Sequence, residues 1–208
     1  MENEQSKNNI QLRMKWKSRA SSIANHSSKQ PGMLSVLIKA GTDGKALART
    51  LAALVPAIAA GVLGDAIIVS PQASSEIDAV GDAAGCHVLK GGDASMLKTA
   101  LAQLRGEFVL FLPAGSVLET GWWDDAENFM HIADETAQAA FAYASNARGF
   151  SAVFVRLQAV LAGLTAAPLA AQGRILRRKS AEQAAVTGVV PPRCQGTLVI
   201  LRARAFSN

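Results

Sequence analysis

Four short apolar runs, each followed by a polar turn and a stretch of helical spacing, limit what this chain can fold into. Leu34–Ile38 is the first run. It leads through Lys39–Gly44 to residues 45–60, where Leu47, Leu51, Leu54, Val55 and Ile58 recur at helical spacing. Asp65–Val69 is the second run, followed by a short helix over Glu76–Ala84 with Ser74 or Ser75 as its N-cap. Cys86–Leu89 is the third, and the helix predicted after it covers Asp93 to about Leu104. The fourth, Phe108–Leu112, reads FVLFL between Gly106 and Pro113-Ala114-Gly115-Ser116, a strand buried on both faces. A helix over Gly121–Ile132 follows, with Asp124 and Asp125 in its first turn. Strands alternating with helices in this way give an α/β fold: a mainly parallel, Rossmann-like sheet with helices on both faces. Ligands of such sheets bind beyond the carboxyl ends of the strands, which is where Pro113–Val117 is expected.

The remainder of the chain has no repeated βα pattern. Ala137–Ala144 reads as a strand, Ala152–Leu164 as an apolar helix and Gly173–Arg178 as a short basic stretch. Ser180–Val186 is expected to be helical and Thr197–Arg204 to be a last strand.

Composition settles several classes. Half of the 208 residues are apolar but only 5% are aromatic, which suits helices packed closely on a sheet. The net charge of +5 is unevenly placed: residues 1–32 hold six Lys/Arg against two Glu, whereas residues 33–208 hold fifteen against fourteen Asp/Glu. The expected organisation is a polar, disordered basic tail over 1–32 and a single domain over 33–208, with no nucleic-acid partner implied for the domain. Within the tail, Arg13 to Arg19 with Trp16 suits an anionic interface; the alternatives are a solvated tail or an upstream extension with initiation at Met33. Cys86 and Cys194 match no metal spacing, and Cys86 reads as an inert buried residue in a reducing compartment. Leu47–Leu63 and Ala152–Ala171 are each interrupted by an Arg and a Pro, so neither offers a spanning helix. The expected location is cytoplasmic, with peripheral contact at the inner face of a membrane left open.

Residues 33 to about 130, and more weakly 168–178, resemble nucleotide-sugar glycosyltransferases of family 2, which have the A-type fold. The resemblance is carried by LSVLI, LARTLAALVP, AIIVS, AAGCHVLKGG and RGEFVLFLPAGSVLETGW, and later by PLAAQGRILRR, Pro168–Arg178. It implies transfer of a sugar from a nucleotide-sugar donor to an acceptor, with Mg²⁺ or Mn²⁺ neutralising the diphosphate. It places Lys39, Thr42, Asp43, Ser70, Gln72, Gly115 and Ser116 at the donor site and Gln172-Gly173 in the acceptor loop. It also exposes three departures. Gly115 stands where the metal-binding Asp is expected, Ser70 where an Asp meets the base, and Ala171 where an Asp precedes Gln172-Gly173. The acidic metal ligand is therefore missing, no catalytic residue is marked, and a non-catalytic relative serving as a binding or scaffold module is the alternative.

Other residues have two readings each. Asp124-Asp125 are either replacement acids or carboxylates complementing a helix dipole. Lys39 is either a point charge for a donor phosphate or an exposed loop lysine. Gly91-Gly92-Asp93 is an anion-binding helix start or a plain turn. Arg174, Arg177, Arg178 and Lys179 face a diphosphate or lipid head group, or form a solvated face. His26, His87 and His131 are scattered singly, without a partnered nucleophile. A nucleotidyltransferase on a related sheet would want an arginine in Lys39–Gly44, which has none.

Overall fold

The computed structural model describes residues 34–91, 93–144, 173–185 and 198–207. The tail, the helix expected over 152–164, Gln172 and Cys194 lie outside the described residues. The elements in chain order are β1 (Leu34–Lys39), α1 (Gly44–Ala59), β2 (Leu63–Ser70), α2 (Ser75–Ala83), β3 (His87–Lys90), α3 (Ala94–Gln103), β4 (Phe108–Pro113), β5 (Ser116–Leu118), α4 (Trp122–Ile132), β6 (Gln138–Ala144), β7 (Arg174–Arg177), α5 (Arg178–Ala184) and β8 (Leu198–Ser207).

They form one sheet in the order β3-β2-β1-β4-β7-β6-β8-β5. The pairs β3–β2, β2–β1, β1–β4 and β6–β8 are parallel; β7 is antiparallel to both β4 and β6, and β5 is antiparallel to β8. Strands β1 and β4 are central, and Leu34–Ile38, with Ser35, and Phe108–Leu112 are buried throughout, as their mainly apolar runs require. Because successive strand residues face opposite ways, Val36 and Ile38 pack with Leu47 and Leu54 of α1, Ile77 of α2 and Trp122 and Phe129 of α4. Leu37 lies on the other face with Leu97 and Leu101 of α3, Phe111 and Ala181 of α5. Helices thus cover both faces, as the sequence predicts.

The chain departs from expectation in its last third and in the loop after β4. The basic stretch Arg174–Arg177 is a strand, inserted between β4 and β6 with Ile175 and Leu176 buried on opposite faces. Residues 116–118 form a short strand, paired with Ala205–Ser207 at the other end of the described chain. Three residues are too few to show a period, and the partner lies far away in sequence.

Helix starts follow the predicted chemistry. Ser74 caps α2, its Oγ accepting from the Ile77 amide at 3.4 Å. Asp93 caps α3 through the Met96 amide at 3.0 Å. Asp93 is thus a side-chain cap at the start of α3.

Candidate functional site at the carboxyl edge of the sheet

Lys39 ends β1 in register with Val69 of β2 and Pro113 of β4, and Ser70 is in register with Lys90. The loops after β1, β2 and β4 therefore emerge side by side. Gly173 joins them from the far side: its amide donates to the Phe111 carbonyl at 2.9 Å, and the Phe141 amide donates to the Gly173 carbonyl at 3.0 Å. Its φ of +73° and the 3.3 Å separation between an added Cβ and Phe141 Cβ explain why glycine enters β7 here. The structure thus brings together the residues expected at the donor loops and the one described residue of the acceptor loop.

The polar groups of these loops are largely turned on one another. The Asp43 carboxylate caps α1, accepting from the Lys45 and Ala46 amides at 2.9 and 3.1 Å. The next amide, Gly44, donates to Glu76 Oε2 of α2 at 3.2 Å. Ser70 is buried, and its hydroxyl lies 2.7 Å from the Gln72 carbonyl and 3.3 Å from that of Gly41. The Ser74 hydroxyl reaches the Thr42 carbonyl at 3.3 Å. These bonds knit the first two loops to each other.

The loop after β4 is held by α1. The Ala114 amide donates to the Lys39 carbonyl at 2.9 Å. The Gly115 amide is shared between Thr50 Oγ1 at 2.9 Å and the Ala46 carbonyl at 3.1 Å. Thr50 is fully buried and Gly115 has a φ of +94°, a region that side-chain-bearing residues rarely adopt. Ser116 is buried in β5 directly after it. Neither Thr50 nor Glu76 was among the expected site residues. Thr50 carried a readable signal: it lies on the apolar stripe of α1 between Leu47 and Leu54, where a polar side chain needs a partner.

Lys39 is exposed and has no ion-pair partner among the described residues. Asp124 and Asp125 sit in the first turn of α4, as the dipole reading has them. His87 is exposed, and His131 lies 3.9 Å from Glu127 one turn earlier in α4. Cys86 is half-buried, less than expected, and that burial pushes its thiol up, away from the reactive thiolate.

Within the basic cluster, Arg177 and Arg178 are engaged away from the crevice, and Lys179 is exposed. Phe108 pairs with Arg177, so Arg177 lies at the amino end of β4, at the opposite edge of the sheet. Its guanidinium donates to the Ala133 and Asp134 carbonyls at 2.8 and 3.0 Å, pairs with Glu107, and sits 4.7 Å from the Phe108 ring centroid. Arg178 donates to the Gly106 carbonyl and to Glu182, each at 3.2 Å. Of the four residues, only Arg174 falls on the carboxyl half of β4, opposite Phe111, with Gln138 Oε1 at 3.5 Å.

Sheet order, the antiparallel β7 and the convergence of loops at the carboxyl edge define a Rossmann-like A-type glycosyltransferase fold. Solved structures similar to it include glucosyl-3-phosphoglycerate synthase from Mycobacterium tuberculosis in complex with phosphoglyceric acid (TM-score 0.51, 16% identity, 72% of this chain and 58% of that one). The same enzyme in complex with Mn²⁺, UDP and glucosyl-3-phosphoglycerate gives a TM-score of 0.52 at 14% identity, covering 82% of this chain and 70% of that one. S. aureus TarS 1–349 gives 0.55 at 16% identity, covering 84% and 60%. The likeness is one of fold, and this chain spans 58 to 70% of the length of these three structures. No protein-family model matches the sequence, and no curated protein matches it either.

The ligands that would hold a divalent ion of the kind in the mycobacterial complex are not gathered among the described residues. Among the described residues, no three His, Cys, Asp or Glu side chains converge. Gly115 brings no side-chain ligand, and of the carboxylate in the loop after β1, that of Asp43, one oxygen accepts from two amides.

Proposed function

We propose that this chain is a glycosyltransferase-like protein of family 2 that takes a nucleotide-sugar donor at the carboxyl edge of its sheet. The donor would lie over Lys39, Thr42, Asp43, Ser70, Gln72, Gly115 and Ser116, and the acceptor would approach from Gln172-Gly173. The observation that carries this reading is the convergence of the β1, β2 and β4 loops with Gly173 on one edge of an A-type sheet. The UDP and Mn²⁺ in the mycobacterial enzyme of the same fold support a nucleotide diphosphate as the ligand class.

The test is a thermal-shift titration of the full chain with UDP, GDP and their glucose and mannose esters in the presence of Mn²⁺. A nucleotide at 100 times its dissociation constant stabilises the folded state by about 2.7 kcal/mol. Stabilisation by one base over the other is the expected outcome. A second reading, a non-catalytic relative acting as a binding or scaffold module, is favoured by the internal satisfaction of Asp43, Ser70 and the Gly115 amide. Binding without turnover of any nucleotide sugar would select it.

A further inference from the structure

We infer that the outer face of α1 is the contact through which two copies of this chain associate, with their α1 helices antiparallel about a two-fold axis. The inference does not depend on what the crevice binds.

From Thr50 to Gly64 the sequence holds no charged residue, and the one polar side chain in that stretch, Thr50, is buried against the Gly115 amide. Leu47, Leu54 and Ala57 of α1 are buried in the core. On its other side Ala52, Val55, Pro56, Ile58 and Ala59 are exposed, Val55 by 57% and Ile58 by 56%. The neighbouring helices are built differently: α2 exposes Glu76 and Asp82, α3 Lys98 and Gln103, and α4 Asp124 and Glu127. A helix that meets solvent on one side carries polar residues there, and one that is apolar on both sides has a partner on both.

Charge identifies the partner as a second copy. α1 carries Lys45 and Arg49 towards its amino end and no acid, whereas α2 carries Glu76, Asp78 and Asp82 and no base. The two helices follow parallel strands and meet at their amino ends, where the Gly44 amide donates to Glu76, so they run side by side in one direction. Lys45, Arg49 and Asp82 are exposed and have no ion-pair partner among the described residues. Lys45 stands in the first turn of α1 and Asp82 in the last turn of α2, each at the helix end whose dipole disfavours its charge. Laying two α1 helices antiparallel reverses both mismatches. Val55 and Ile58 of the two copies then meet near the axis. Lys45 and Arg49 come over the carboxyl ends of the partner's α1 and α2, beside the partner's Asp82, and symmetry makes this pairing twice. An anionic membrane would instead meet the acids of α2 next to these two bases.

Sedimentation equilibrium of the full chain over the micromolar range tests this. The parent is compared with Ile58→Glu, with Arg49→Glu, and with Arg49→Glu combined with Asp82→Arg. All three positions are exposed, and circular dichroism checks first that each variant keeps the parent's fold. The parent is expected to approach twice the chain mass of 21.7 kDa with rising concentration, and Ile58→Glu to remain at the single mass. Arg49→Glu is expected to weaken dimerisation about tenfold, because the lost pair counts twice, and the added Asp82→Arg to restore it. A parent that stays at the single mass throughout would overturn the inference. If that monomer co-sediments with phosphatidylglycerol vesicles and Ile58→Glu does not, the face belongs to a membrane surface instead. Dimerisation that Ile58→Glu leaves intact would put the interface elsewhere and overturn the inference as well. Dimerisation sensitive to Ile58→Glu but indifferent to both charge variants would overturn the antiparallel arrangement.

Discussion

Gly115 and Thr50 act as a pair across two elements 65 residues apart. The buried Gly115 amide has two acceptors, and Thr50 supplies the shorter bond. Thr50→Val keeps the shape of the side chain but removes that acceptor, and the expected loss is about 1 kcal/mol. In a domain of this size that lowers the melting temperature by about 2–4 °C, read by circular dichroism. Gly115→Ala keeps the hydrogen bond and adds strain at positive φ, with an expected cost of about 1–3 kcal/mol. An unchanged melting temperature in both variants would show that the latch contributes nothing. At this scale the sequence is informative about what a position cannot do and silent about what it touches. That Gly115 brings no carboxylate is plain from its identity; that its amide is held by Thr50 depends on how α1 lies against the loop after β4.

Among the elements, β7 is the one whose role the sequence hid. RILRRK reads as a cluster of positive charge, because the partners of Arg177 are main-chain carbonyls and a carboxylate 43 to 70 residues away. Only the sheet register turns the cluster into a strand that fastens β4 to β6. Arg177 does this by holding the carbonyls just after α4 and the Phe108 ring together at the amino end of β4. The four strands β1 to β4 and the helices between them were legible because each carries a local apolar run or period. β5, β7 and the bulged pairing of β8 were less so, since they depend on non-local partners. Two substitutions separate the contributions at Arg177. Glu107 is more than half exposed, so Glu107→Ala is expected to cost less than about 1 kcal/mol. Arg177→Ala also strips two carbonyls of their donor and is expected to cost about 2–3 kcal/mol. Urea unfolding of the two variants checks the difference, and equal losses would assign the whole effect to the ion pair.

Over the whole molecule, charge is partitioned along the chain. Residues 33–208 are nearly neutral, yet thirteen of their fourteen acidic residues precede residue 136 and nine of their fifteen basic residues follow it. The two sets meet at the amino end of β4, where Glu107 pairs with Arg177. Near-neutrality of the sum is thus compatible with pairing inside the fold, and the basic isoelectric point of about 9.5 owes most to residues 1–32. Among the described residues, the hydrophobic core is drawn from residues 34–205. A chain starting at Met33 keeps every one of these core contacts while its formal charge falls from +5 to +1. It is expected to melt at the temperature of the full chain and to elute from a cation exchanger at lower salt. A melting temperature lowered by more than about 4 °C, the effect of roughly 1 kcal/mol, would mean that the tail stabilises the domain.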